Sequence, residues 1–174
     1  MPVFSRMGPR DSPVGQNEPM HISARVDYGM RALCELGAQH RADPRALMTG
    51  EEIAQAQALP WKFLEGILRT LRQAGILASQ RGADGGFRLD RDPNEITVAD
   101  VVRALDGPLA AVRGERPEDV IYAGSSEHLG EVWIAMRAAM REVLEHTTID
   151  DILNGAHSTR VTEFLESPGA WQRR

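Results

Sequence analysis

The sequence holds one cysteine, Cys34, in 174 residues. A lone thiol forms no internal disulfide, so the chain lacks the main signature of an exported, disulfide-stapled domain. No apolar run approaches the roughly 20 residues of a membrane span. The first residues also lack the apolar core of a secretory signal. The five histidines, His21, His40, His128, His146 and His157, form no metal-ligand spacing. No Gly-Lys-Ser/Thr follows a glycine cluster, which excludes a nucleotide-cradling loop. No nucleophile–base pair is visible, and Ser125-Ser126 near His128 reads as a helix cap. These absences point to a cytoplasmic protein that is not an enzyme, carries no metal or cofactor and does not enter membranes.

Positive charge is short as well, with 20 Lys and Arg against 25 Asp and Glu, a formal net charge of −5. The deficit is local. Residues 20–91 carry ten Lys/Arg against eight Asp/Glu, whereas residues 92–174 carry eight against fifteen. Affinity for nucleic acid depends on the field at the contact face rather than on the sum over the chain. A net acidic chain with a basic front therefore remains compatible with a DNA binder of strong salt sensitivity.

Residues 1–19 hold Pro2, Pro9, Pro13 and Pro19 with no apolar periodicity. Such a segment cannot bury enough surface to offset the cost of ordering, so a disordered extension is expected, with Met20 as an alternative start. From Ser23, a fitting N-cap, Val26, Met30, Leu33, Cys34 and Gly37 recur at helical spacing to about Gln39. Thr49-Gly50-Glu51-Glu52 has the form of a capping box and opens a short helix. Pro60 opens another, in which Leu64, Ile67, Leu68 and Leu71 form a buried stripe and Gly75 is the stop. Ile76–Gln80 and Phe87–Leu89 read as a hairpin around Gly82, Gly85 and Gly86. Thr97–Asp100 starts a further helix with Val98, Val101, Val102 and Leu105 inward. Residues 107–124 read as a loop.

The longest stripe follows, from Leu129 through Val132, Trp133, Met136, Ala139, Met140, Val143 and Leu144 to Thr147. Nearly six turns of one apolar face on a single helix call for a partner helix. Thr148–Leu153 reads as a short helix. The expected fold class is mostly α with a small β-hairpin wing, a winged helix-turn-helix plus a long C-terminal dimerisation helix. Its divisions are a disordered extension (1–19), the winged domain (20–106), a loop (107–124), a dimerisation region (125–153) and a flexible tail (154–174).

In a helix-turn-helix, base edges are read from the N-terminal end of the second helix. That end places Trp61, Lys62, Glu65 and Arg69 as groove-facing candidates beside the buried Leu64. Lys62 suits a guanine edge or a phosphate, and Glu65 a cytosine amino group. The same three charges also fit a plain solvated helix face. Arg81-Gly82-Ala83-Asp84-Gly85-Gly86 sets a cation at the base of a glycine-rich tip, as minor-groove insertion requires, although a simple hairpin turn has the same composition. Thr49 caps a helix whose first N–H groups suit a phosphate, though the cap role needs no DNA.

Several blocks taken together resemble the Rrf-two family of winged-helix transcription regulators. They are Met20–Ser23 with Asp27–Leu33, Glu52–Ala54, Phe63-Leu64-Glu65 with Leu68 and Leu71–Leu77, Ser79–Leu89 and Ile96–Val102. The resemblance spans about residues 20–153. It implies a homodimer held by the long helix, on a palindromic promoter site in double-stranded DNA; the expected role is that of a repressor, with an activator as the alternative. By analogy Glu65 and Lys62 read bases and Arg81 enters the minor groove, while Gly82, Gly85 and Gly86 shape the wing. The implied dimer contacts are Leu129, Val132, Trp133, Met136, Met140, Val143 and Leu144.

The resemblance breaks at one place. Many relatives hold an iron–sulfur cluster through three cysteines in the loop before the long helix, and here Gly107–His128 has none. Asp27 aligns with a ligand position of some relatives, but one carboxylate without thiolates holds no cluster. The expectation is a cluster-free branch whose effector, a small molecule or a protein, is open. The loop with Arg113, Arg116, Tyr122 and Trp133 is either a seat for such an effector or a connector. A rival reading keeps the winged fold as a protein-interaction adaptor without specific DNA binding.

Overall fold

The computed structural model describes residues 22–82 and 84–172. The expected extension (1–19) and the alternative start at Met20 lie outside them. Helix α1 (Ala24–Ala42) begins where the Ser23 hydroxyl accepts from the Val26 N–H at 3.1 Å. Its inward face, Val26, Gly29, Leu33, Leu36 and Gly37, touches almost every other element of the core. Gly37 belongs to that face because Leu153 and Ile149 fill the space its side chain would take.

Helix α2 (Gly50–Ala56) and helix α3 (Trp61–Gln73) are joined by a tight turn in which Ala58 adopts a positive φ and Leu59 is buried. The α3 stripe of Leu64, Ile67, Leu68 and Leu71 is buried as the spacing predicts. Gly75, at φ +71, terminates the helix. Strands β1 (Leu77–Gln80) and β2 (Gly86–Leu89) pair antiparallel, with Leu77 opposite Leu89 and Gln80 opposite Gly86. Met48 bridges to β2 from outside the hairpin: its N–H donates to the Phe87 carbonyl at 3.0 Å and its carbonyl accepts from the Phe87 N–H at 2.7 Å. Helix α4 (Val98–Leu105) starts from the expected capping box of Thr97 and Asp100.

Beyond α4 the structure departs from the sequence expectations in three ways. First, helix α5 spans Leu129–Leu144 and stops short of Thr147. Residues 147–148 turn into extended backbone that pairs with the segment before α4, the Val98 N–H meeting the Thr147 carbonyl at 2.9 Å and the Ile149 N–H the Ile96 carbonyl at 3.0 Å.

Second, helix α6 (Ile149–Asn154) packs into the winged core rather than beside α5. Ile149 is fully buried against α1, and Arg41 of α1 meets Asp150 at 2.6 Å. The boundary drawn between 20–106 and 125–153 therefore does not separate two packing units. Third, the segment after Gly155, expected as a flexible tail, contains helix α7 (Thr159–Glu166). The Ser158 hydroxyl caps it, Val161 is buried, and it rests on α5. In the loop of residues 107–124, Pro117–Asp119 forms a single 3₁₀ turn, and Gly124–Ser126 forms another where the loop ends.

Candidate nucleic-acid interface

Helix α3 and the wing face one another, and Arg81 stands between them. On one side a cleft of about 340 Å³ is bounded by Thr49, Trp61, Arg81, Gly82, Gly85 and Gly86. On the other a smaller cleft of about 200 Å³ holds Glu65, Arg69, Arg72 and Ser79, again with Arg81 on its wall. The fold thus brings together every residue singled out for DNA contact except Lys62, which is exposed beside them at the start of α3.

Trp61 corrects the sequence reading. Its ring lies over Gly50, occupying the volume a β-carbon there would need, and packs against the core instead of projecting outward. An indole gains more from covering apolar surface than from standing in water, and the glycine makes room for it. Glu65 and Arg69 are both exposed and form an ion pair at 3.2 Å one helical turn apart. In the free protein each blunts the other's charge, while the single contact leaves further guanidinium N–H groups and one carboxylate oxygen open. Arg72 continues the same face and was missed, although its spacing of seven from Glu65 marks it. Ser79 was missed too, because only the hairpin register shows which strand residues face α3.

Thr49 is committed to its own helix. Its hydroxyl accepts from the Glu52 N–H at 3.2 Å, and the Glu52 carboxylate accepts from the Thr49 N–H at 2.7 Å. The Thr49 N–H, and then its hydroxyl, hold the Glu52 carboxyl below the ordinary glutamate range. The cap's contribution is therefore complete at neutral pH and fades as the pH falls through that lowered value. Behind α3, Tyr28 of α1 meets the half-exposed Phe63 edge-on at 5.6 Å. This contact packs the N-terminal end of α3 against α1.

The wing glycines divide by role. Gly82 adopts φ +115, which an L side chain resists. Gly86 is needed for a different reason: a β-carbon there would lie 2.5 Å from the Met48 carbonyl oxygen. Gly86→Ala is expected to cost ~1–3 kcal/mol by prising Met48 from β2. Gly66→Ala, on the open face of α3 with nothing within 4 Å, is expected to add ~0.5–1 kcal/mol. Urea midpoints moving in opposite directions would bear out this contrast.

On α5 no residue is fully buried. Leu129 and Val132 are exposed, as is Ile134, which was not anticipated. Trp133, Met136, Met140, Val143 and Leu144 are half-buried, with the Trp133 Nε1–H donating to the Tyr122 hydroxyl at 3.1 Å. The apolar band expected for a partner is thus only partly covered by its own chain. No helix of the described residues is long and apolar enough to cross a membrane. Cys34 is half-buried in α1, its thiol pushed up chiefly by burial and further by Glu35.

Comparison with known proteins agrees with this geometry. The family model Rrf2, described as "Iron-dependent Transcriptional regulator", matches residues 22–155. The chain is 40% identical over 147 residues to Rv1287 of Mycobacterium tuberculosis, named for the HTH-type transcriptional regulators, covering 84% of this chain and 89% of that one. It is 36% identical over 133 residues to the HTH-type transcriptional regulator CymR of Bacillus subtilis, covering 76% and 89%. The solved B. subtilis structure of CymR, the Global Cysteine Regulator, superposes with a TM-score of 0.61 at 32% identity over 79% of this chain and 98% of that one. The T. potens IscR structure gives 0.61 at 30% identity over 79% and 89%. The chain belongs to the Rrf2 family of DNA-binding transcription regulators, not to a family of enzymes.

Proposed function

We propose that this chain is a homodimeric, sequence-specific repressor that binds a palindromic promoter site through α3 and the wing. The observation that carries the reading is the position of Arg81 on the shared wall of two clefts, one of which it lines together with the exposed Glu65 and Arg69 of α3. An arginine at the base of a hairpin suits the negative potential of a narrow A·T-rich minor groove, while the N-terminal half of α3 lies in the adjacent major groove. The incompletely covered α5 supports dimerisation. Two-fold symmetry then makes the operator palindromic, with half-sites about one helical turn or a multiple apart.

The repressor works without an iron–sulfur cluster. Such clusters are held by several thiolates, and this chain has one cysteine, half-buried in α1 far along the sequence from the thiol-free segment Gly107–His128. Among the described residues no three His, Cys, Asp or Glu side chains are grouped to hold a metal ion. The residues present do not fit the iron named in the family's description.

Selection from random duplexes at low salt tests the reading. An inverted repeat with A·T-rich flanks is the expected product. Failure to enrich any sequence would overturn it in favour of an adaptor that keeps the fold without reading DNA.

A further inference from the structure

Away from the DNA face, between the end of α4, the following loop and α5, lies a cavity of about 490 Å³ with guanidinium groups on three sides. Arg103 comes from α4, Arg116 from the loop, and Arg137 and Arg141 from successive turns of α5. The remaining wall includes the apolar Pro108 and Leu109. This concentration of cations sits in the half of the chain with the strongest acidic excess, eight Lys/Arg against fifteen Asp/Glu over residues 92–174.

Two carboxylates reach these arginines. Glu118 meets Arg137 at 2.6 Å, while Glu145 pairs with Arg103 and lies 3.7 Å from Arg141. Arg116 forms no ion pair among the described residues. Four cations against two anions leave the cavity with an excess of two positive charges. Its field is felt by Glu118, whose carboxyl is held below the usual range, first by the hydrogen bond from Arg137 and in smaller part by the charges of Arg137 and Arg116. Arg137 is the most enclosed of the three arginines that form ion pairs here, with 16% of its side chain exposed.

We propose that this cavity is a binding site for a small organic polyanion carrying two or more carboxylate or phosphate groups. The planar fork of arginine matches both groups in a bidentate manner. The volume lies within the ordinary range for small-molecule sites, and Pro108 and Leu109 offer an apolar surface to the body of such a ligand. A bound anion would neutralise the excess charge and tie α4 of the winged core to α5. The site is independent of the DNA interface and does not rest on how that interface works.

Isothermal titration and thermal melting of the full chain test the proposal, with citrate and glycerol 3-phosphate as probes and chloride at matched ionic strength as the control. Saturable binding of either probe, with a rise in melting temperature that saturates in parallel, is the expected result; which probe binds distinguishes a carboxylate ligand from a phosphate. Arg116→Ala, which breaks no ion pair, and Arg141→Gln are each expected to weaken binding about tenfold. Glu118→Gln removes a competing carboxylate and is expected to tighten it severalfold. Arg81→Ala leaves it unchanged. The absence of saturable binding beyond the chloride control would overturn the proposal. So would wild-type affinity in both arginine variants, or a loss confined to Arg81→Ala, which would place the anion on the DNA face.

Discussion

Arg81→Ala is expected to lower affinity for an A·T-rich operator by about tenfold to a hundredfold, the ~1–3 kcal/mol typical of a specific arginine contact. The loss should shrink when the positions under the wing are replaced by G·C pairs, because a wider minor groove concentrates less negative potential. Arg81 is suited to this role in a way Arg69 is not. Arg69 is already paired with Glu65 at 3.2 Å, whereas Arg81 is exposed without an ion pair among the described residues. Its removal should therefore change little in the free protein. The logarithmic salt dependence of binding should also fall by about one unit. Fluorescence anisotropy on matched duplexes gives the comparison, and equal affinity with equal sequence preference would remove Arg81 from the interface.

Val132→Glu is expected to convert the proposed dimer into monomers by light scattering and to lower operator affinity by at least about a hundredfold. Val132 is 56% exposed in the single chain, so a carboxylate there costs the isolated fold little. Facing a partner helix, the same carboxylate would be buried without a counter-charge, which is strongly unfavourable. Loss of the partner then removes the linkage that makes the second half-site nearly intramolecular, an effect of about 10²–10⁴ in affinity. Trp133 is a poorer choice for this experiment because its indole N–H is bonded to Tyr122, and its replacement would disturb the loop as well. A variant that stays dimeric would mean that α5 is not the interface.

The parts of the fold that depend on neighbours in sequence were legible. Ser23, Thr49 with Glu52 and Thr97 with Asp100 all cap the helices they were expected to cap, since each device needs only four residues. The α3 stripe was equally clear, and it contained the evidence against a groove-facing Trp61. Residues 61, 64, 68 and 71 share one helical face, so extending the periodicity one turn backward places the indole inward. What was not legible rests on distant partners. Gly86 is required by Met48, nearly 40 positions earlier, and the docking of α6 depends on Gly37 and Ile96, both more than 50 positions before Ile149. Helix α7 was passed over because its eight residues bury only Val161, too little for a periodic signal. In the candidate site, Glu65, Arg69 and Arg81 were singled out by position on their elements; that they border one cleft shows only once the hairpin is paired and packed.

The docking of α6 also bears on how the protein is made. Ile149 fills the space beside Gly37, and the backbone before α4 pairs with the backbone before α6. A nascent chain that has emerged only as far as the wing still lacks the segment that closes its own core. Closing that long loop carries an entropic cost that rises only slowly with its length, so the delay is set by synthesis, at ~5–20 residues per second. The winged core is thus complete only once residue 154 has left the ribosome, by which point the whole of α5 has already emerged.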